Sequence, residues 1–423
     1  MSLLPASPPA PRRRRRWVRP AAILVVLGPG LIAANAGNDA GGIVTYASAG
    51  SQFQYQTMFI CVLIIAALVL VQEMAARLGA YSGEGLMSLV REEFSLRIGA
   101  FVVVCLLVAN LGLVVSEFAG IGAAMEIFGV SRYVSVPLAA FLILGVVLFG
   151  SYKWAERVFL TLSLVFLAYP IAMILSDPDW ALVAKDTFIP HFVASREFLL
   201  VAVALVGTTI TPYMQLYQAA AVADRGIGPD EYPHERIDAV VGSLFAGFIF
   251  VSILIATGTA HYTGHAITSA DQAAKALEPV AGASAEALFA IGLLGASMLA
   301  AAIVPLSTAY GLAEAVGAER SVSRRFREAP LFLGLFAAQI LIGSAVALIP
   351  VNLIDLLIGM QVLNGFITPI ILVILLILTN RPSAVGAAVN GPRFKVFALI
   401  SVVVVSILAL AAFGVTVASA FGL

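Results

Sequence analysis

Asp39 stands in the middle of an apolar run, inside the stretch Asn35-Ala-Gly-Asn-Asp-Ala-Gly-Gly42. An ionised Asp at the centre of a membrane helix costs about 2.5–3.5 kcal/mol on insertion scales. Such a residue is held for a cationic partner or, on the plainer alternative, for a hydrogen bond between helices. A second apolar run is interrupted in the same way, at Gly207-Thr-Thr-Ile-Thr-Pro-Tyr213. Unwound backbone is tolerated at membrane depth only where it is buried in protein or lines a wet cavity. Its exposed carbonyls and half-helix ends suit an ion. Thr211 would add a hard hydroxyl oxygen, although a Thr bonded back to its own helix explains the residue equally well.

Other polar residues fall at depth. Glu117 has three open roles: gating, relay or packing. Gln361 is read as a direct ligand, a ligand through water, or an interhelical hydrogen bond, with Asn364 nearby. Glu73 lies four residues before Arg77 and reads as a structural pair. His191, His261 and His265 fall in expected outer loops and His234 in an inner one, so no metal cluster forms from them. Cys61 and Cys105 sit in apolar runs and read as packed thiols. Met214 and Met360 flank the interruptions and read as core. Gly83-Glu-Gly85 reads as a loop turn only. No phosphate loop, hydrolytic carboxylate pair or nucleophile elbow occurs, and no enzyme activity or bound cofactor is expected.

The elements that must position these groups are long and apolar. The 423 residues are 61% hydrophobic and 11% charged, against about 25% charged in soluble domains. Runs near the roughly 20 residues that cross a bilayer must be helices, because each backbone polar group needs an internal partner there. The expected architecture is all-α and polytopic, with eleven transmembrane helices near 22–47, 57–77, 97–128, 132–150, 156–175, 197–222, 238–259, 285–315, 331–349, 351–379 and 395–421. With the N-terminus inside, 20 of the 24 Lys and Arg residues fall in inner segments, a strong positive-inside bias. The chain is therefore expected in a plasma membrane, with a cytoplasmic N-terminus and an outer C-terminus. Residues 1–20, with Arg12–Arg16, read as a disordered basic tail rather than a signal peptide. The zero net charge argues against a nucleic-acid partner. The two interruptions fall in the first and sixth helices. Interrupted segments at matching places in two halves mark a transporter site on inverted repeats, here 21–177 and 197–380, with 394–423 as the eleventh helix.

Several fragments resemble the Nramp family of divalent-metal transporters: Gly28-Pro-Gly30, Gln72-Glu-Met-Ala-Ala-Arg-Leu-Gly79, Ser116-Glu-Phe-Ala-Gly120, Ser307-Thr-Ala-Tyr-Gly311, and Gln361. The resemblance spans most of the eleven helices and implies a LeuT-like fold with two inverted five-helix repeats. The departures are informative. The family's Asp-Pro-Gly-Asn reads Asp39-Ala40-Gly41-Gly42, and its Met-Pro-His reads Thr211-Pro212-Tyr213. A further family histidine is Gln218, and the family's helix 3 Asp is Val114. This pattern is similar to the Nramp-related magnesium transporters.

The resemblance implies a divalent-ion site made of Asp39, the Ala36 and Thr208 carbonyls, Thr211 and Gln361. Gly42 and Thr211 would leave room for retained waters. Mg²⁺ is hard, octahedral and slow to dehydrate, whereas a thioether favours softer metals. Transported Mg²⁺, with Mn²⁺ beside it, is the expected cargo; Ca²⁺ and Al³⁺ stay open. The family's proton relay is lost at Val114, Tyr213 and Gln218, since Val and Gln do not titrate and Tyr does so near pH 10. Glu117 alone remains, and voltage-driven, uncoupled uptake by a monomer is expected. The rivals are a proton-coupled Mn²⁺/Fe²⁺ importer, an amino-acid or amine carrier of the same fold, and a non-transporting receptor.

Overall fold

The computed structural model describes residues 37–149, 167–191, 193, 195–319 and 326–420. Among the described residues the regular structure is helical, without strands. The helices of eight or more residues are α1 (Ala40–Phe53), α2 (Met58–Ser82), α3 (Leu86–Glu93), α4 (Leu96–Ile127), α5 (Arg132–Phe149), α6 (Ala168–Leu175) and α7 (Trp180–Phe188). They continue with α8 (Arg196–Thr209), α9 (Pro212–Asp224), α10 (Tyr232–Ala260), α11 (Ala285–Val316), α12 (Pro330–Ala347), α13 (Leu353–Thr379) and α14 (Pro392–Ala420). Among the described residues eight spans are long and apolar enough to cross a membrane, with α8 and α9 counting as one span broken in its middle. Helix α5 is a shorter apolar helix of the same kind. Of the first and fifth expected helices, only α1 and α6 lie within the described residues.

The helix ends follow local chemistry. Ser95, Ser195 and Asn352 cap α4, α8 and α13 through their side-chain oxygens. Gly83 and Gly317 end α2 and α11 with left-handed backbone, φ 69° and 70°. Several boundaries differ from expectation. Helix α1 runs on to Phe53 rather than 47, and α10 begins at Tyr232 rather than 238, which puts His234 in its first turn instead of a loop. Proline near the first helical position favours that start, and Pro233 supplies it.

Two helices were not expected. Helix α7 lies in the connection before α8. Helix α3 follows Gly83-Glu-Gly85, which is therefore more than a turn: Gly85 is its N-cap. The buried Glu314 carboxylate on α11 accepts from Met87 N at 3.0 Å and Ser88 N at 3.3 Å. A carboxylate at a helix N-terminus satisfies free N–H groups and complements the dipole. That stabilisation is supplied from 226 residues away, so periodicity could not show it.

Packing brings the interrupted spans to the centre. Helix α4 lies along α11, α8 along α13, and α1 against α10. Helices in lipid associate through close backbone approach at small residues. At Gly207 a Cβ would lie 2.0 Å from the Gln361 carbonyl oxygen and 2.4 Å from Gly365 N. Both are backbone atoms and cannot swing away. Gly207→Ala is therefore expected to overpack the α8–α13 seam at a cost on the order of 1–3 kcal/mol. Thermal unfolding in detergent reads that loss, and an unchanged Tm would refute the close seam.

The remaining polar residues settle as local pairs. Glu73 meets Arg77 at 3.1 Å, as the spacing indicated, and also accepts from the Tyr232 hydroxyl. Both cysteines are free, Cys61 buried and Cys105 partly so. His191 pairs with Asp186 at 3.1 Å.

Candidate metal site

Helix α1 opens at Asp39. The residue is extended (φ −73°, ψ 179°) and its Oδ1 accepts from Gly42 N at 2.6 Å, an N-cap bond. Asp39 is fully buried, and its Oδ2 has no hydrogen-bond partner. Helix α4 brings Glu117 to the same helix end, where Oε2 accepts from Ala40 N at 3.3 Å while Oε1 is unpartnered. Two buried carboxylates thus share the N-terminus of one helix, whose dipole offsets part of their desolvation. Helix α13 contributes Gln361. Its Nε2 lies 3.4 Å from Asp39 Oδ1, and its amide covers Gly41, where a Cβ would fall 2.0 Å from Nε2. Gln361 Oε1 is unpartnered.

The second interruption supplies the facing wall. Helix α8 ends at Thr209, Ile210 and Thr211 are non-helical, and α9 restarts at Pro212. The Tyr46 hydroxyl on α1 pairs with Thr209 Oγ1 at 3.2 Å, which ties α1 to the broken α8–α9 span. Thr208 is fully buried and its Oγ1 has no partner. A Cβ at Gly42 would lie 2.8 Å from Thr208 Oγ1, 3.1 Å from Asp39 Oδ1 and 3.1 Å from the Gly37 carbonyl oxygen. A side chain at position 42 would press on three oxygens of hard character, which glycine lets close in around the start of α1.

The expected residues do not all converge. Asp39, Gly42, Thr208, Gln361 and Glu117 do. Ala36 lies outside the described residues. The Thr211 hydroxyl donates to the Thr208 carbonyl at 2.9 Å, so these two expected ligands bind each other and Thr211 takes its backbone-bonded alternative. Tyr213 is buried in the first turn of α9 with its hydroxyl unpartnered. Gln218 lies further along α9 and donates to Glu235 Oε1 at 2.9 Å, away from Asp39.

Three groups at the site were missed. Asn38 is buried with Nδ2 unpartnered; its place beside Asp39 was the available signal. The Gly37 carbonyl is backbone and left none. Ser297 on α11 is buried with Oγ unpartnered, and that oxygen and Ala40 Cβ lie 2.6 and 2.5 Å from where a Gly120 Cβ would be. A lone Ser in an apolar helix carries no sequence signal.

A buried polar atom without a partner costs about 1–3 kcal/mol. Five of them (Asn38 Nδ2, Asp39 Oδ2, Glu117 Oε1, Thr208 Oγ1 and Gln361 Oε1) gather around one helix end. This is a place built for water or an ion. Among the described residues no three His, Cys, Asp or Glu side chains group around one point. An ion here would be held by neutral oxygens and at most two carboxylates, weakly enough to be released.

Residues 30–414 match the family described as Nramp, Natural resistance-associated macrophage protein-like. The chain is 26% identical over 392 residues to a divalent metal cation transporter MntH of Klebsiella pneumoniae, covering 90% of this chain and 92% of that protein. In structure it resembles the Eremococcus coleocola manganese transporter in complex with an aromatic bis-isothiourea compound. That likeness has a TM-score of 0.74 at 21% identity and covers 98% of this chain and 90% of the other. It also resembles MhsT in complex with L-phenylalanine, with a TM-score of 0.58 at 13% identity over 91% of this chain and 97% of that one. The fold is accordingly LeuT-like, as the Nramp resemblance implied.

Proposed function

The chain belongs to the Nramp family, and from that premise we propose that it is a membrane carrier of divalent metal ions whose main cargo is hydrated Mg²⁺, with Mn²⁺ as a second substrate. The oxygens gathered at the start of α1 carry this reading. Thr208 Oγ1, Asp39 Oδ1 and the Gly37 carbonyl close in around Gly42, hard donors without sulfur. Mg²⁺ takes oxygen ligands at about 2.0–2.1 Å and keeps several waters, so a few hard protein donors suffice. Asp39 supplies the charge, Gln361 and Thr208 supply neutral oxygens, and Glu117 Oε1 is placed to accept from a coordinated water. The Ala36 carbonyl completes the ligand set by family resemblance, while the Thr211 hydroxyl holds the Thr208 carbonyl.

Uptake is uncoupled from protons and follows the membrane potential. Val114 and Gln218 cannot titrate, and Gln218 is engaged by Glu235. Two charges crossing at roughly 2.3 kcal/mol each per 100 mV gain about 4.6 kcal/mol, enough for a gradient of about three orders of magnitude. The protein works as a monomer in a plasma membrane, with its N-terminus in the cytoplasm and its C-terminus outside.

A second reading is a proton-coupled Mn²⁺/Fe²⁺ importer; the Eremococcus protein that the fold resembles is a manganese transporter. Proteoliposomes held at an inside-negative potential, loaded with magnesium- and pH-sensitive dyes, separate the two. Saturable Mg²⁺ entry with a flat pH trace is expected, in the wild type and in Glu117→Gln alike. Acidification in step with the metal, or Mn²⁺ entry without Mg²⁺ entry, would return the protein to the second reading.

A further inference from the structure

Below the central site, on the side that the basic residues mark as inner, a buried carboxylate on α10 faces the inner half of the broken span. Glu235 is 5% exposed and its Oε1 accepts from Gln218 Nε2 at 2.9 Å. Gln218 lies seven residues beyond Thr211, two helical turns or about 10 Å along α9. Its side chain is fully buried and its Oε1 has no partner, so an unpartnered oxygen donor is fixed beside the carboxylate. A structural tie between α9 and α10 would need neither the acid nor the spare oxygen; a second amide or hydroxyl would serve.

The surrounding charge is unusual for its place. The inner connections carry most of the chain's basic residues, yet residues 224–238 hold Asp224, Asp230, Glu231, Glu235 and Asp238 against Arg225 and Arg236. This is the most acidic inner connection, and it directly follows α9. Asp238 lies one turn beyond Glu235 on α10, on the same face. A hard dication leaving Asp39 along α9 meets first an amide oxygen and a carboxylate, then an acidic mouth that attracts it onward. Positive-inside sorting is indifferent to Asp and Glu, so topology does not account for these acids.

We infer that Glu235, with the Gln218 amide oxygen, forms a second and weaker divalent-cation station on the inner limb of the pathway, through which the ion leaves the central site. The inference rests on the transport reading for its direction of travel, but the station is also a binding site in its own right. Hard oxygen donors and low ligand number suit Mg²⁺ or Mn²⁺ held briefly with most of its water.

Mn²⁺ is the probe, because its paramagnetic resonance counts bound ions without transport. Purified full-length protein is expected to bind two Mn²⁺, Asp39→Ala one, and Asp39→Ala/Glu235→Gln none in the same range. Gln218→Ala, in the Asp39→Ala background, is expected to weaken the remaining site on the order of tenfold, the effect of losing a partner of a liganding carboxylate. In proteoliposomes Glu235→Gln is expected to slow maximal uptake with the outer KM unchanged, and to raise the KM for efflux on the order of tenfold. A purely structural tie would move Tm and leave these ratios alone. Equal Mn²⁺ binding by Asp39→Ala and by the double variant, with Gln218→Ala also silent, would overturn the station. Absence of any Mg²⁺ or Mn²⁺ flux in the wild type would instead overturn the transport reading, while the resonance count still decides the station.

Discussion

Asp39→Ala is expected to abolish Mg²⁺ and Mn²⁺ uptake in proteoliposomes while leaving the protein folded. Asp39 is the carboxylate among the oxygens that close in around Gly42, and its Oδ2 is buried without a partner. Removing it takes away the charge that compensates a desolvated dication. Losses on breaking a buried charge pair run at about 3–5 kcal/mol, roughly two to four orders of magnitude in affinity. Stability responds much less. The N-cap bond to Gly42 N is lost at a cost of about 0.5–2 kcal/mol, offset by the removal of a buried carboxylate. Dye-reported flux beside a melting curve distinguishes the two effects. Full-rate Mg²⁺ entry in Asp39→Ala would mean that the ion passes elsewhere.

Gly42→Ala is expected to turn selectivity against Mg²⁺. The added methyl would sit 2.8 Å from Thr208 Oγ1 and 3.1 Å from both Asp39 Oδ1 and the Gly37 carbonyl. It would push these oxygens, and any water they hold, outward from the start of α1. An ion that gives up its water reluctantly suffers more from such crowding than one that sheds it readily. Mg²⁺ uptake should therefore fall on the order of tenfold or more relative to Mn²⁺. Helix propensity favours Ala over Gly within α1 by roughly 1 kcal/mol, but the Gly37 carbonyl is backbone and the crowding costs on the order of 1–3 kcal/mol. The measurement is competition between the two ions in one vesicle preparation. An equal fall for both would show that space at Gly42 does not set the preference. Glycine at this position and threonine at 211 would then be tolerated variations on a manganese site.

The sequence by itself determined the membrane architecture, the two interruptions and the central acid. These are legible for a single physical reason. In hydrocarbon the backbone must satisfy itself within each segment, so every departure from a long apolar helix is costly and stands out locally. Asp39 and the stretch before Pro212 are such departures, and the structure starts α1 and α9 at those points. Tertiary structure alone decided how the side chains between helices pair. Glu117, open to three readings in the sequence, caps the N–H of Ala40 from 77 residues away. Gln218 joins Glu235 rather than Asp39, and Glu314 caps the start of α3 from 226 residues away. Each choice depends on which helices pack side by side. A residue type fixes what a side chain can bond to, but helix packing fixes what lies within reach, and apolar periodicity carries no record of that.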